Sequence, residues 1–215
     1  MATAIPSIAC LGIIGRNNNP LHITIFPSYD ASTNTHFPLR TPLQFSLLLS
    51  STLDVFAARA RHAATANTLL SGDFGLLHAV DERLAAYGFE TNTGVKIVVV
   101  VDMRGRLPPS HFYGTPSSPT ASGFGGAGGI GGGGGGGVKG GIAGVGLRDT
   151  ELKVVFRAVQ TAYVRLLQNP FYDPEEGAGA PGGGGRGGGT RITSRRFAEE
   201  MRRIGERWAP GVTGL

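Results

Sequence analysis

The chain has 215 residues, including 36 glycines and 13 prolines, and its formal net charge is +5 at pH 7. Most of the glycine lies in two blocks, at residues 123–146 and 177–189, where no apolar periodicity favours packing. What remains, on the order of 150 residues, suits one core rather than two. We therefore predict a single domain over residues 1–215, interrupted by low-complexity insertions at about 104–146 and 177–190.

Cys10 is the only cysteine, which excludes an intramolecular disulfide. Its apolar neighbours indicate a buried thiol, as expected in a reducing compartment. No apolar run approaches the roughly 18 residues that a membrane span needs, and the N-terminus lacks the basic region of a signal peptide. We therefore expect a cytoplasmic protein.

The first residues predict a β-hairpin. Residues 7–15 and 21–26 are rich in strand-forming apolar side chains. They are joined by Arg-Asn-Asn-Asn-Pro at residues 16–20, in which asparagine tolerates a positive φ and proline fixes its own φ. A polar, proline-containing segment at residues 28–40 connects this hairpin to the next element.

The first long helix is predicted over residues 43–60. Thr41 and Pro42 suit its N-cap and its first helical position. The apolar side chains cover more than the one stripe that a sheet would bury. They are Leu47, Leu48, Leu49, Leu53, Val55 and Phe56. This surplus indicates a partner surface, or else cover from another part of the same chain.

A three-stranded antiparallel meander is predicted next, with strands at residues 74–80, 84–90 and 95–101. The second turn ends at Gly94, which supplies a positive φ. The last strand is apolar at consecutive positions, so we expect cover on both faces. Helices should therefore lie on both sides of the sheet.

Two amphipathic helices follow. The second helix opens at about Asp149, carries apolar residues at three- and four-residue steps, and ends at Asn169 and Pro170. The third is predicted over residues 194–208 and is closed by Pro210. Its apolar stripe comprises Phe197, Met201, Ile204 and Trp208.

Positive charge is concentrated in the C-terminal stretch, where arginines are interleaved with glutamates at helical spacing. The arginines are Arg186, Arg191, Arg195, Arg196, Arg202, Arg203 and Arg207. This pattern is typical of a solvated helix face, and an acidic protein, an anionic lipid surface or nucleic acid are the alternative partners. Arg186 forms only one RGG-type repeat, whereas RNA-binding boxes use many, so we expect no nucleic-acid partner.

No motif indicates a catalytic, cofactor or metal site. The glycine tract matches G-x-G-x-x-G through simple repetition and does not form a tight strand-to-helix turn. Lys139 lacks the Ser or Thr that follows the lysine of a phosphate loop. The five histidines show no metal-ligand spacing, and no G-x-S-x-G elbow is present. We predict a protein that is not an enzyme and has no cofactor.

Four stretches resemble the sedlin-like subunits of the transport protein particle (TRAPP) tethering complex, most closely its subunit-2-like branch. They are the hairpin at residues 8–23, Ser51-Thr52-Leu53-Asp54-Val55, Tyr-Gly-Phe-Glu-Thr-Asn-Thr-Gly-Val-Lys at residues 87–96, and Leu147-Arg148-Asp149 leading to Asn-Pro-Phe-Tyr-Asp-Pro at residues 169–174. Their order and spacing make the resemblance specific.

The resemblance implies an α+β, longin-like (sedlin-like) fold with disordered Gly-rich insertions. In that fold a five-stranded antiparallel sheet carries one helix on one face and two on the other. The implied function is that of a non-catalytic adaptor in the TRAPP vesicle-tethering complex. As an assembly, that complex supports Rab GTPase activation in traffic from the endoplasmic reticulum to the Golgi and within the Golgi.

The implied partners are other TRAPP subunits and, indirectly, Rab-type GTPases. Membrane association would be peripheral, at the endoplasmic reticulum and Golgi, and only through the complex. Another soluble longin-like trafficking adaptor or SNARE regulator is an alternative, and a Gly-rich RNA-associated protein is a more distant one.

Asp54 matches the acidic position of the family's Leu-Asp-Val motif, so the resemblance implies that it belongs to, or supports, a partner-binding surface. The alternative is an ordinary helix carboxylate paired with a nearby arginine. With the apolar surplus of the same helix, this gives a candidate partner interface composed of Leu47, Leu48, Asp54 and Val55.

Overall fold

The computed structural model describes residues 5–30, 32–65, 72–107, 147, 149–170, 172 and 191–215, without the side chains of residues 64, 149 and 150. The elements in chain order are β1 (Ile5–Ile14), β2 (Pro20–Ile25), β3 (Ser28–Asp30), β4 (Thr35–Phe37), α1 (Pro42–Thr65), β5 (Asp73–Ala79), β6 (Leu84–Glu90), β7 (Lys96–Arg106), α2 (Asp149–Leu167) and α3 (Arg195–Arg207).

Five strands form one antiparallel sheet in the order β2-β1-β7-β6-β5. The central strand β7 sends alternate side chains into two separate cores. Ile97, Val99 and Val101 pack with α2 and α3, whereas Val98 and Val100 pack with α1. The predicted cover on both faces of this strand is confirmed, and so is the α+β arrangement of one helix on one face and two on the other.

Cys10 lies in the core beneath α1 and is fully buried. Burial disfavours the charged thiolate and raises the pKa of the Cys10 thiol to about 12. The prediction of a buried cysteine in an apolar strand is confirmed.

The strand β7 is longer than predicted. It continues to Arg106, which pairs with Ile5 of β1. Residues 104–106, which were predicted to lie in the first insertion, therefore belong to the strand, and the Arg106–Ile5 pair joins its end to β1 beyond an irregularity in the register between Ile5 and Ser7. The rest of that insertion and all of the second one, at residues 177–190, lie outside the described residues and stay predictions.

A second, two-stranded sheet formed by β3 and β4 lies in the polar segment before α1, where no strand was predicted. Its turn contains Asn34 with a φ of 53°, a conformation that asparagine tolerates. The hairpin is tied to the main sheet because the Arg83 guanidinium donates to the Tyr29 carbonyl at 2.6 Å.

Both edges of the main sheet are partly covered by their own chain. At the β2 edge, the Ile192 N–H donates to the Leu21 carbonyl at 2.8 Å. At the β5 edge, the Arg59 guanidinium of α1 donates to the Phe74 carbonyl and, at 2.5 Å, to the Leu76 carbonyl. Covered edges discourage pairing with strands of other chains.

Within the described residues, no helix is long and apolar enough to cross a lipid bilayer.

Candidate partner interface

Helix α1 starts where its sequence directs it to start. The Gln44 side chain accepts from the Thr41 N–H at 2.9 Å, and the Thr41 hydroxyl accepts from the Gln44 N–H at 3.3 Å. This reciprocal capping box satisfies two backbone donors at the helix start, with Pro42 as the first helical residue. The predicted helix start is confirmed, while the end lies at Thr65 instead of residue 60 because no glycine or proline interrupts the intervening residues.

One stripe of α1 is buried against the sheet. It comprises Phe45, Leu49, Thr52 and Phe56. Thr52 is accommodated there because its hydroxyl donates to the Leu49 carbonyl at 2.7 Å.

Two glycines of the sheet allow α1 to approach closely. A Cβ atom at Gly12 of β1 would lie 2.6 Å from the Leu49 Cδ1. A Cβ atom at Gly88 of β6 would lie 2.5 Å from the Phe56 Cζ and 2.5 Å from the Leu77 Cδ1. Because side chains at these positions would push the helix outward, the glycines set the depth at which α1 is seated.

A single helix is too narrow to cover this face of the sheet. Strands lie about 4.8 Å apart, so five of them span about 20 Å, whereas a helix with its side chains is about 10 Å across. The face that carries α2 and α3 has twice the helical cover. On the α1 face, apolar residues at the outer strands are only partly buried: Ile23 and Ile25 of β2, Phe74 of β5, and Val80 directly after β5.

The outward side of α1 begins with exposed leucines and continues with polar residues. Leu43 is 69% exposed and Leu47 is 62% exposed. Asp54 is exposed and lies seven residues after Leu47, which places both on one stripe about 10 Å apart along the helix axis. Ser50 and Ser51, between them, are exposed as well.

Leu48 and Val55 occupy a different stripe from Leu47 and Asp54. Both are partly buried and pack against the core beneath α1. They share a flank of the helix with Arg59, which lies four residues after Val55 and bonds to β5. The four predicted residues therefore divide into an outward pair and a pair on the β5 side.

Asp54 has no basic neighbour on its own helix. The residues three and four positions away are Ser50, Ser51, Ala57 and Ala58. Among the residues that the structure describes, none forms an ion pair or hydrogen bond with the Asp54 carboxylate. The alternative that Asp54 serves an arginine of its own domain therefore finds no support in the described part of the chain.

Leu43 was missed by the sequence analysis, although it is the most exposed large apolar residue of α1. Its signal was available, because Leu43, Leu47 and Asp54 recur at steps of four and seven residues, opposite the buried Phe45 and Leu49. We add Leu43 to the candidate partner interface.

A buried ion pair lies beside the β3–β4 hairpin. Asp102 is fully buried, and its carboxylate accepts from Arg83 Nε at 2.8 Å and from Arg83 Nη2 at 2.9 Å. These hydrogen bonds and the charge of Asp102 raise the pKa of the Arg83 guanidinium. Because Arg83 also holds the Tyr29 carbonyl, the pair has a structural role.

The described residues contain no cluster of His, Cys, Asp and Glu that could hold a metal ion.

Comparisons with known proteins agree with this architecture. A family model described as Sedlin matches residues 13–207. The trafficking protein particle complex subunit 2-like protein of Dictyostelium discoideum is 23% identical over 196 residues, which cover 90% of this chain and 93% of the relative. The Bos taurus protein of the same name is 26% identical over 191 residues, covering 87% and 89%. That of Xenopus tropicalis is 25% identical over 169 residues, covering 77% and 83%.

The family match begins at the last two residues of β1 and ends at the last residue of α3, so it includes β2, β5, β6 and β7 of the main sheet and all three helices. The sequence resemblance to sedlin-like proteins is thereby confirmed, and the chain is a member of the Sedlin family.

Proposed function

We propose that this protein is a non-catalytic adaptor subunit of a TRAPP vesicle-tethering complex. The relatives named as subunit 2-like proteins of the trafficking protein particle complex support this assignment, since the alignments cover most of both chains. Neighbouring TRAPP subunits would be the direct partners, and we expect no nucleic-acid partner.

The observation that carries the proposal is the incomplete cover of the sheet on the α1 side. Exposed Leu43 and Leu47 form an apolar centre, and Ser50, Ser51 and Asp54 form a polar rim on one side of it. An apolar centre with a polar rim is the usual composition of a protein–protein interface. Leu48 and Val55 would extend this candidate partner interface towards β5.

The role of the protein in Rab activation would be indirect. In this proposal the assembled complex acts on a Rab-type GTPase in endoplasmic reticulum to Golgi and Golgi traffic, and this subunit supports the assembly. The protein would reside in the cytoplasm and reach endoplasmic reticulum and Golgi membranes only as part of the complex.

Affinity purification of the tagged full chain from cells, followed by identification of the co-eluting proteins, tests the assignment. We expect TRAPP subunits in stoichiometric amounts. Elution of the chain without any TRAPP subunit would contradict the proposal. Co-elution with SNARE proteins instead would favour the alternative of a longin-like SNARE regulator.

A second experiment separates adaptor from enzyme. The purified chain alone, incubated with Rab-type GTPases loaded with a fluorescent guanine nucleotide, should leave the rate of nucleotide release unchanged. Acceleration by the chain alone would contradict the adaptor role.

A further inference from the structure

A groove lies between α2 and α3, on the opposite side of the sheet from α1. The two helices run antiparallel, because Trp208 Nε1 at the end of α3 donates to the Glu151 carbonyl near the start of α2 at 3.1 Å. The groove has a volume of about 520 Å³, and its floor includes Ala158 and Ile204. We name it the basic groove after its five cationic side chains: Lys153, Arg157, Arg165, Arg203 and Arg207.

The positive charge of the basic groove is largely uncompensated. Among the described side chains that line it, the only carboxylate is that of Glu200, which pairs with Arg165 at 3.2 Å. Lys153 approaches Asp73 at 3.8 Å. In the part of the chain that the structure describes, the side chains of Arg157, Arg203 and Arg207 have no hydrogen bond or ion pair.

The outer side of α3 provides an internal contrast. There, Arg195 pairs with Glu199 at 3.0 Å and Arg202 approaches Glu206 at 3.8 Å, both at the favourable spacing of four residues. On the groove side, four-residue spacing instead brings like charges together, as at Arg203 and Arg207. Like charges at this spacing destabilise a helix by roughly as much as opposite charges stabilise it, about 0.2–0.5 kcal/mol. Arg195 and Arg202 on the outer side are both paired, whereas three of the five groove cations are not, and this difference favours an anionic partner on the groove side.

The shape and lining of the basic groove distinguish between anionic partners. Bases of single-stranded RNA stack on aromatic side chains, and the lining of this groove contains none. A membrane surface would meet a flat or convex face, whereas here cations line the two walls of a concavity with an apolar floor. An extended polypeptide with acidic and apolar residues matches both the walls and the floor.

We propose that the basic groove binds an acidic, partly apolar polypeptide segment presented by another protein. This goes beyond the proposed function, since the groove and the candidate partner interface lie on opposite faces of the sheet. Either surface can fail its test while the other passes.

The test uses the full chain and a fluorescein-labelled dodecapeptide in which glutamates alternate with leucines and serines, measured by fluorescence anisotropy. The variant Arg157→Glu/Arg203→Glu reverses two unpaired charges in the groove. The matched control Arg195→Glu/Arg202→Glu makes the same change of net charge. Both of its residues lie on α3, as Arg203 does, but neither lines the groove. We expect the groove variant to raise the Kd at least about tenfold and the control less than about twofold.

Equal weakening by both variants would overturn the proposal, because it would reflect attraction to net charge alone. Failure of the unmodified chain to bind the peptide would also overturn it. Vesicles containing phosphatidylserine and an oligouridylate RNA are tested in parallel, and tighter binding of either one through Arg157 and Arg203 would assign the groove to that ligand instead. If the reversal variant does not fold, Arg157→Gln/Arg203→Gln replaces it, with the same direction of change expected.

Discussion

Arg83 and Asp102 form a two-point ion pair in which each of the two carboxylate oxygens accepts from a different guanidinium nitrogen, at 2.8 and 2.9 Å. Leu84, next to Arg83, pairs with Asp102 in the β6–β7 register, so the sheet itself brings the two charges together. The pair closes one end of the sheet and holds the β3–β4 hairpin there.

Replacement of Arg83 by Met should destabilise the fold, because it leaves the fully buried Asp102 carboxylate without its cation. We expect a loss of about 3 kcal/mol, at the lower end for buried pairs since the Arg83 side chain is 29% exposed. Arg40→Met is the matched control, because the Arg40–Asp81 pair is exposed and should contribute at most about 1 kcal/mol. Urea unfolding measures both, and equal losses would contradict a structural role for the buried pair.

Gly88→Ala should destabilise the fold by disturbing the packing of α1 against the sheet. The new Cβ would lie 2.5 Å from Phe56 and Leu77 atoms, so the helix or the side chains must shift. Overpacking of this kind costs about 1–3 kcal/mol. Gly214→Ala, where nothing lies within 4 Å of the new atom, should leave the unfolding free energy unchanged. Thermal unfolding that does not distinguish the two variants would show that α1 does not require this close approach.

His22 should make stability depend on pH in the weakly acidic range. Burial, and then the charge of Arg191, lower the pKa of the His22 imidazole. The folded protein therefore favours neutral His22, and this contribution is complete above the unfolded pKa of about 6.5 and is lost as the pH falls from there through the folded pKa. His22→Gln cannot titrate, so its unfolding free energy should fall less on acidification. Parallel pH profiles of the two proteins would contradict this.

Elements with a strong local pattern could be predicted from the sequence. The third helix was predicted over residues 194–208, and the structure has Arg195–Arg207 with Ser194 and Trp208 as its caps. Its side chains alternate between apolar and charged at helical spacing, and Ser194 accepts from the Phe197 N–H. The strand β7 was recognised for a similar reason, since only a doubly covered strand is apolar at consecutive positions.

Elements that depend on contacts between distant parts of the chain could not be predicted. The strands β3 and β4 have three residues each, too few for an alternation signal, and their attachment depends on Arg83, more than fifty residues away from Tyr29. The basic groove was missed for a related reason. Its cations come from two helices in separate stretches, and only the packed structure brings them together.

Asp54→Lys should weaken assembly more than it weakens the fold. The carboxylate is exposed, and exposed sites normally tolerate change within about 0.5 kcal/mol. Asp54→Asn, which keeps the size but removes the charge, shows whether charge alone matters. Thermal unfolding and co-purification of partner subunits are compared for both variants. Partners retained by Asp54→Lys at an unchanged melting temperature would show that Asp54 is a plain surface carboxylate.

The most direct test of the candidate partner interface concerns the two exposed leucines of α1, Leu43 and Leu47. Leu43→Ser/Leu47→Ser removes the apolar centre of the candidate partner interface, and Val164→Ser/Leu167→Ser removes exposed apolar side chains from α2 as a control. The measurement is the amount of TRAPP subunits that co-purify with each tagged chain, alongside its melting temperature. We predict at least about a tenfold weaker association, about 1.4 kcal/mol, for the α1 variant at a nearly unchanged melting temperature, with the control unaffected. Full recovery of the partner subunits by the α1 variant would contradict the assignment of this face as the docking surface.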